Sequence, residues 1–242
     1  MKIDILAFGA HPDDVELSCS GLLLIEALQG KKIGIIDLTE GELGSRGDAA
    51  TRKSESADAS KILGVQFREN LGLEDGFFIN DKSSQLKIIQ IIRKYQPNLI
   101  LCNAPHDRHP DHGKGAKMVA DAAFLSGLVK IETFEGSNKQ APWKPCYIFN
   151  YIQDTYIEPD FIVDITPVFE TKLSSIKAYT TQFFNPQVEG PETYISKPEF
   201  LEHLIGTNKL MGKKIGTTYG EGYLSEKKLG LQSLTNLVKV KT

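Results

Sequence analysis

The 242-residue chain has an ordinary globular composition, and its net charge of -3 argues against nucleic acid, whose protein partners usually carry a basic excess. Cys19, Cys102 and Cys146 are odd in number and widely spaced, so neither a disulfide framework nor a cysteine zinc site is expected. No segment approaches the roughly 18 apolar residues of a membrane span, and we expect a cytoplasmic protein with one domain over residues 1–242.

The first hundred residues alternate between strand-like and helix-like patterns. Short apolar runs predict strands, and apolar residues at helical spacing predict helices. The strands are expected at residues 3–8, 32–38, 65–71 and 98–102, and the helices at residues 15–28, 52–63 and 86–95. Because crossover helices join parallel strands, this order predicts an α/β fold with a Rossmann-like, doubly wound, mostly parallel sheet and helices on both faces.

Beyond residue 102 the pattern becomes less regular. A polar, proline-interrupted segment, NAPHDRHPDHGKG, predicts a loop after the fourth strand. Further helices are expected at residues 114–128, 169–181 and 198–211, and further strands at residues 146–152 and 161–165. A long loop is expected between the last two helices.

Two segments concentrate the chemically reactive side chains: AHPDD at residues 10–14 and HDRHPDH at residues 106–112. They hold four of the chain's five histidines, and each follows the carboxyl end of a predicted strand. Open α/β sheets bind their ligands at that edge. We therefore expect the two segments to meet in one site.

The residue types in these segments indicate a metal site. His11 and Asp14 are three residues apart where a strand passes into a helix, so both side chains can face the same side. With His112 they offer two nitrogen donors and one oxygen donor. Hydrolytic zinc sites use three such protein ligands and leave a position for water. The sequence therefore predicts a catalytic Zn²⁺ site.

Three further residues lie beside the predicted ligands. Asp13 is placed to accept a proton from the reacting water as general base and to return it to the leaving amine. His109 is expected to stabilise a tetrahedral oxyanion when it is protonated, or to transfer a proton. Asp111 is expected to orient His109 or a ligand histidine. These residues complete a hydrolytic site.

Each motif on its own also has a structural explanation. HPDD can begin a helix, because aspartate is favoured at helix caps and complements the helix dipole. HPDH can be an ordinary proline-containing surface turn. Their occurrence together at two strand ends favours the metal site. His203 has no neighbouring ligand type, and we expect it to have a surface or packing role.

A glycine-rich run, GELGSRG at residues 41–47, precedes the third predicted strand. It lacks both the GxxxxGK[ST] and the GxGxxG patterns, so a nucleotide site is not expected. Arg52 begins the helix that follows, where its guanidinium can bind a hydroxyl or carboxylate of a substrate. A solvated charge at the helix terminus is the alternative.

The chain resembles the LmbE-like (PIG-L) zinc deacetylases over nearly its full length. The resemblance is carried by AHPDD after the first strand, TRKSES at residues 51–56, HPDH at residues 109–112 and KKIGTTYGEGY at residues 213–223. Within that family it is most similar to the bacillithiol biosynthesis deacetylases, through DLTEGELGSRG, RHPDHGKG and YGEGY. The resemblance implies an LmbE-like fold, zinc bound by His11, Asp14 and His112, and Asp13 as general base.

The resemblance also implies the partners of the reaction. His109 would be the electrostatic or proton-transfer group, and Arg52 and Arg108 would lie near the substrate. Tyr194 would supply a hydroxyl to the oxyanion, unless it is a surface aromatic. The substrate would be the small molecule N-acetylglucosaminyl malate, whose carboxylates suit arginines, and the protein would form a homo-oligomer, often a hexamer. The alternatives are another N-acetylglucosaminide or thiol conjugate, and a noncatalytic metal- or sugar-binding module.

Overall fold

The computed structural model describes residues 1–233 and residue 237, so the end of the expected domain lies outside the described residues. The strands are β1 (Ile5–Gly9), β2 (Ile33–Thr39), β3 (Phe67–Leu73), β4 (Leu99–Cys102), β5 (Phe134–Glu135), β6 (Asn138–Lys139), β7 (Tyr147–Tyr151), β8 (Phe161–Asp164) and β9 (Gly220–Leu224). The helices are α1 (Asp14–Ser18), α2 (Ser20–Leu28), α3 (Ala49–Leu63), α4 (Lys82–Tyr95), α5 (Pro110–Leu125), α6 (Phe169–Lys177) and α7 (Pro198–Ile215). Among the described residues, no helix has the length and apolar character needed to cross a membrane.

The described strands form a seven-stranded sheet in the order β3-β2-β1-β4-β7-β9-β8, and β5 and β6 pair as a separate hairpin. The strands from β3 to β7 in this order run parallel, whereas β9 runs antiparallel to both β7 and β8. This confirms the predicted mostly parallel α/β sheet. The chain reverses its direction of winding between β1 and β4, and ligands of such sheets bind at that switch point.

Strand β1 shows why the two faces of the sheet are both covered. Its side chains alternate, with Ile5 and Ala7 in one apolar cluster with α2 and α6, and Leu6 and Phe8 in another with α4 and α5. A strand buried on both faces has a continuous apolar sequence, as expected for a central parallel strand. The loops that follow β1 and β4 at their carboxyl ends therefore begin at strands that are held in place by packing on both faces.

The helix predicted over residues 15–28 is wrong in one respect, because Cys19 (φ -137°) divides it into α1 and α2. Lys172 and Glu221 form a buried ion pair of 2.7 Å at this break. The ammonium donates to two carbonyl oxygens at the end of α1, and the carboxylate accepts from two backbone N–H groups in the first turn of α2. Both helix ends are thus satisfied by side chains that are distant in sequence.

Strand β9 was not predicted, because glycines are depleted in strands. The structure explains why glycines occur there. A Cβ atom at Gly222 would lie 3.1 Å from Ile152 and 3.2 Å from Met211, and one at Gly220 would lie 2.7 Å from Ile162. The glycines therefore let α7 pack closely on the sheet.

Candidate metal centre and its cavity

The tight turn from β1 into the first residue of α1 holds three of the predicted site residues. The backbone N–H of His11 donates to the Asp14 carboxylate at 3.0 Å. Asp13 has a φ of 113°, a left-handed conformation that few non-glycine residues adopt and that tertiary contacts must maintain. The side chain of Asp13 makes no helix-capping hydrogen bond, so the capping explanation of HPDD does not describe this residue.

The second segment spans the end of the loop after β4 and the first turn of α5. Pro110 occupies the first position of α5, where its fixed φ suits a helix start. The Nδ1 atom of His109 accepts a hydrogen bond of 3.3 Å from the backbone N–H of Asp111. Asp111 and His112 are buried, so the surface-turn explanation of HPDH is wrong. His106, the fourth histidine of the two segments, is exposed.

The two segments converge on the carboxylate of Asp14. Its Oδ1 atom lies 3.1 Å from Nε2 of His112, and its Oδ2 atom lies 3.7 Å from Nδ1 of His11. Potential ligand atoms of His11, His109 and His112 lie within 4.8 Å of one another. The structure therefore brings together all three predicted metal ligands, with His109 beside them.

Amide groups complete the surroundings of Asp14. Its Oδ2 atom accepts from Nδ2 of Asn103 at 2.9 Å, and its Oδ1 atom accepts from Nε2 of Gln153 at 3.0 Å. Asn103 follows β4, and Gln153 lies beyond the end of β7. The orientation of Asp14 is thus determined by side chains from two other strand ends.

Two aspartates outside the predicted site hold the two histidines. Nε2 of His11 lies 3.0 Å from Asp75, and Nδ1 of His112 lies 2.5 Å from Asp107. Asp111 also approaches Nε2 of His11, at 3.5 Å, which agrees with an orienting role toward a ligand histidine. In both histidines the other ring nitrogen faces the carboxylate of Asp14.

Sequence analysis missed Asp75 and used Asp107 only as part of a motif. Asp75 follows β3 at the same carboxyl edge as the two motif loops, and the acidic pair Glu74 and Asp75 at a third strand end was the available signal. Its Oδ2 atom also accepts from the backbone N–H of Leu43, in the glycine-rich loop. The third strand end and that loop are therefore connected to the metal centre.

Burial and neighbouring charges shift the pKa values at this centre. Burial raises the pKa of Asp13 to about 7, although the Arg52 guanidinium opposes the shift. Burial lowers the pKa of His112, but Asp14 and Asp107 outweigh it and raise that pKa to about 9. A carboxyl group with a pKa close to neutral pH is suited to the role of a general base.

His109 has the opposite electrostatic environment. Burial and the neighbouring His11 and His112 lower its pKa, which favours the neutral ring at neutral pH rather than the protonated ring expected at the oxyanion. Because Nδ1 accepts from the backbone N–H of Asp111, the ring proton of neutral His109 is on Nε2. This nitrogen can donate a hydrogen bond to a ligand.

Arg52 is buried rather than solvated, so the alternative of a helix-terminal solvent charge is wrong. Its guanidinium donates to the Asp13 carboxylate at 2.9 Å and to the carbonyl oxygens of Gly41 and Pro12 at 3.1 and 2.8 Å. A Cβ atom at Gly41 would lie 2.2 Å from Nη1 of Arg52, and Gly41 has a φ of +68°. The glycine-rich loop thus leaves space for the arginine that holds Asp13.

The centre opens into a cavity of about 620 Å³, a size typical of small-molecule sites. His11, Asp13, Asp14, His109 and His112 line one side of it. The other side comes from α7, from β9 and from the loop that precedes α7.

Arg108 and Tyr194 lie in the cavity wall and contact each other. The guanidinium carbon of Arg108 lies 4.3 Å from the centre of the Tyr194 ring, and Nε lies 3.3 Å from Asp154. The Tyr194 hydroxyl donates to the same aspartate at 2.8 Å, and the residue is 47% exposed. Arg108 and Tyr194 therefore form an exposed cluster with Asp154, and their contact with substrate stays a prediction.

His203 was expected to have a surface or packing role, and it is exposed. It also lines the cavity from α7, which single-sequence reasoning did not anticipate. The helical spacing placed it on α7, but only the packing of α7 on the sheet turns that face toward the cavity.

Comparison with known proteins places this geometry in a family. The family model described as "PIG-L: GlcNAc-PI de-N-acetylase" matches residues 6–123, which contain both metal-site segments. A solved structure, the conserved protein TT1542 from Thermus thermophilus, superposes with a TM-score of 0.83 at 31% identity. The match covers 95% of this chain and 98% of that chain.

Relatives with stated activities are less similar. Diacetylchitobiose deacetylase of Thermococcus kodakarensis is 27% identical over 90% of this chain and 81% of its own length. Probable N-acetyl-alpha-D-glucosaminyl L-malate deacetylase 2 of Bacillus subtilis is 26% identical over 75% of this chain and 84% of its own. The 4-oxalmesaconate hydratase of Pseudomonas putida is 24% identical, covering 73% of each chain. These matches confirm the resemblance predicted from the sequence: the chain is an enzyme of the PIG-L (LmbE-like) family.

Proposed function

We propose that this enzyme hydrolyses the acetamide of an N-acetylglucosaminide, releasing acetate and the free amine. The observation that carries the proposal is the Asp14 carboxylate between His11 and His112, with buried Asp13 beside it, in the wall of one cavity. Two relatives, one acting on diacetylchitobiose and one on an N-acetylglucosaminyl malate, are named as deacetylases. Both names support an acetylated glucosamine as substrate.

A metal ion fits the donor set of this centre. His11, Asp14 and His112 offer the nitrogen and oxygen donors that catalytic Zn²⁺ uses. Asp75 and Asp107 hold the two histidines through their other ring nitrogens, as carboxylates usually do for metal-bound histidines. A bound zinc ion would supply an activated water and polarise the acetamide carbonyl.

Asp13 serves as the general base of the proposed reaction. It accepts a proton from the attacking water and returns it to the nitrogen when the C–N bond breaks, so a neutral amine and acetic acid leave, and the acid ionises to acetate in solvent. The ion pair with Arg52, 2.9 Å long, holds the carboxylate in place. Because Nη1 and Nη2 of Arg52 donate to Asp13 and to two backbone carbonyls, we assign it a positioning role rather than a substrate contact.

His109 is assigned the role of stabilising the oxyanion. The Nε2–H group of its neutral ring can donate to the oxygen that becomes negative when water attacks the carbonyl. Asp111 fixes the ring through its backbone N–H. Tyr194 keeps its predicted role only if its hydroxyl leaves Asp154, to which it is bonded.

The finer substrate assignment, N-acetylglucosaminyl malate in bacillithiol biosynthesis, is supported by the sequence resemblance and by the B. subtilis relative at 26% identity. The chitobiose-directed relative at 27% identity supports a different N-acetylglucosaminide equally well. The malate glycoside is therefore one member of the substrate panel that follows. The hexamer and the cytoplasmic location stay predictions.

The experiment measures acetate and primary amine released by zinc-loaded protein. Its substrates are N-acetylglucosamine, diacetylchitobiose and N-acetylglucosaminyl malate, and 4-oxalmesaconate is added to detect the hydratase reaction of the P. putida relative. We expect equal amounts of acetate and amine from an acetylated sugar, and none after the metal is removed by a chelator. Sugar binding without acetate release would indicate a noncatalytic module. Loss of 4-oxalmesaconate without any deacetylation would indicate a hydratase.

A further inference from the structure

The glycine-rich loop and the long loop between α6 and α7 are joined by one buried arginine. Arg46 is 9% exposed and lies in the glycine-rich run at residues 41–47. Its Nε atom donates to the carbonyl oxygen of Thr181 at 2.7 Å, and Nη1 and Nη2 donate to those of Pro191 and Val188 at 3.0 and 3.2 Å. A planar guanidinium presents its donors in fixed directions, which suits several carbonyl oxygens of one loop. These three bonds are called the Arg46 clamp below.

The start of the α6–α7 loop has further supports. The Glu55 carboxylate of α3 accepts from the backbone N–H and from the hydroxyl of Thr181, at 2.7 and 2.9 Å. Gly47 lets the two loops approach, because a Cβ atom there would lie 2.8 Å from Oγ1 of Thr181. Nε2 of Gln182 donates to the backbone carbonyl oxygen of Arg46 at 2.6 Å. None of these contacts needs the Arg46 side chain, so the start of the loop stays in place without it.

Residues 185–192, further along the same loop, depend on the clamp. Among the described residues, Arg46 makes the only hydrogen bonds that join this segment to a part of the chain outside the loop. The other hydrogen bonds of the segment are local, such as those from the N–H groups of Val188 and Gln187 to Asn185. Most residues of the segment are exposed, so packing contributes little to its position.

The clamp lies next to the part of the loop that forms a wall of the cavity. Residues 193–195 line the cavity, and Thr193 is two residues beyond the clamped Pro191. The bond of the Tyr194 hydroxyl to Asp154 also holds this part of the loop, but it is exposed to solvent. The clamp is therefore the buried attachment of this wall.

We propose that Arg46 is a positioning residue for the substrate, because the clamp fixes the loop segment that ends in the cavity wall at residues 193–195. The inference rests on the proposed deacetylation. This wall lies on the side of the cavity away from the metal centre, so it contacts parts of the substrate remote from the acetamide. Remote contacts that are equal in the ground state and the transition state lower KM and leave kcat unchanged.

The first test compares Arg46→Met with Arg93→Met, both loaded with zinc. Arg93 is the matched control: it is 3% exposed and donates to three backbone carbonyl oxygens of the loop after α5, but it does not line the cavity. The substrate is diacetylchitobiose, or N-acetylglucosaminyl malate if the wild type hydrolyses it faster. In Arg46→Met we expect KM to rise by about tenfold or more, with kcat within about threefold and zinc content unchanged. In Arg93→Met we expect kcat and KM at wild-type values.

Arg46→Lys separates the clamp from an effect of charge. The lysine keeps a positive charge at the cavity, but its ammonium is a point donor on a flexible stem and does not reproduce the planar fork. We expect KM to rise in this variant as well, by about threefold or more. An arginine that acted by attracting an anionic substrate would be replaced by lysine with a wild-type KM.

Hydrogen exchange tests the clamp without any turnover. In Arg46→Met and Arg46→Lys, peptides that cover residues 185–196 should exchange their amide hydrogens faster than in the wild type. In Arg93→Met, residues 126–131 should exchange faster and residues 185–196 should exchange as in the wild type.

The outcomes separate this inference from the proposed function. An unchanged KM in folded Arg46→Met, or a fall in kcat alone, overturns the inference and leaves the deacetylase intact. An equal rise of KM in Arg93→Met, a wild-type KM in Arg46→Lys, or unchanged exchange of residues 185–196 has the same consequence. Arg46→Lys decides if Arg46→Met does not fold. Absence of acetate release by the wild-type enzyme refutes the proposed function instead, whereas hydrogen exchange decides the clamp with or without turnover.

Discussion

Substitutions of the neighbouring aspartates Asp13 and Asp14 are expected to have different effects on turnover and on zinc content. Asp13→Asn keeps the side-chain volume and an oxygen that accepts from Arg52, but the amide cannot take a proton from water. Removal of a general base lowers turnover by about 100-fold or more, equivalent to roughly 2.7 kcal/mol of transition-state stabilisation. Zinc content should stay at the wild-type value, because the side-chain partner of Asp13 is Arg52 and neither ligand histidine.

Asp14→Asn is the matched comparison. Both oxygens of Asp14 face histidines and also accept from the amides of Asn103 and Gln153. The neutral amide of the variant is a poor metal donor and places an NH₂ group against one of these donors. We therefore expect Asp14→Asn to lose zinc together with activity.

The assay combines acetate release, metal content by elemental analysis and circular dichroism of both variants. Circular dichroism shows whether each variant is folded, so that a change in activity is not due to unfolding. Near-normal turnover in Asp13→Asn would refute its role as base. Equal zinc loss in the Asp13 and Asp14 variants would refute the division of roles.

Three further predictions concern the supports of the site. Asp75→Ala should weaken zinc affinity by about 10- to 100-fold in a chelator competition, since it removes the carboxylate on Nε2 of a ligand histidine; unchanged affinity would exclude this role. Gly41→Ala should lower the free energy of unfolding in urea by about 1–3 kcal/mol and should also lower turnover, because its Cβ collides with Arg52. Wild-type values of the unfolding free energy and of turnover would contradict this prediction. Lys172→Met should cost about 3–5 kcal/mol in the same unfolding assay, because Glu221 stays buried without its partner; a loss under about 1 kcal/mol would count against a structural ion pair.

The sequence alone was sufficient to predict the elements whose apolar pattern agrees with their secondary structure. The apolar runs of β1, β2 and β4 predict central parallel strands, because a strand covered on both faces has no polar alternation. The motif residues His11, Asp14 and His112 were predicted to converge, since two strand ends of a parallel sheet share an edge. The structure places them in contact.

The tertiary structure decided the features that depend on residues distant in sequence. The break at Cys19 is stabilised by Lys172 and Glu221, which lie more than 150 residues away along the chain, and the apolar spacing over residues 15–28 continues through the break. In the sequence Asp75 is an ordinary acidic loop residue, and only the folded sheet places it 3.0 Å from His11.

The same holds for Arg52 and for the face of α7 that lines the cavity. The sequence offered Arg52 as a substrate contact or a solvent charge, whereas packing of α3 against the glycine-rich loop buries it on Asp13. Helical periodicity groups Phe200, Leu204 and Met211 on one face of α7, but it does not predict which part of the protein this face contacts. Strand β9 decides this, because its glycines permit the close approach that turns the face toward the metal centre.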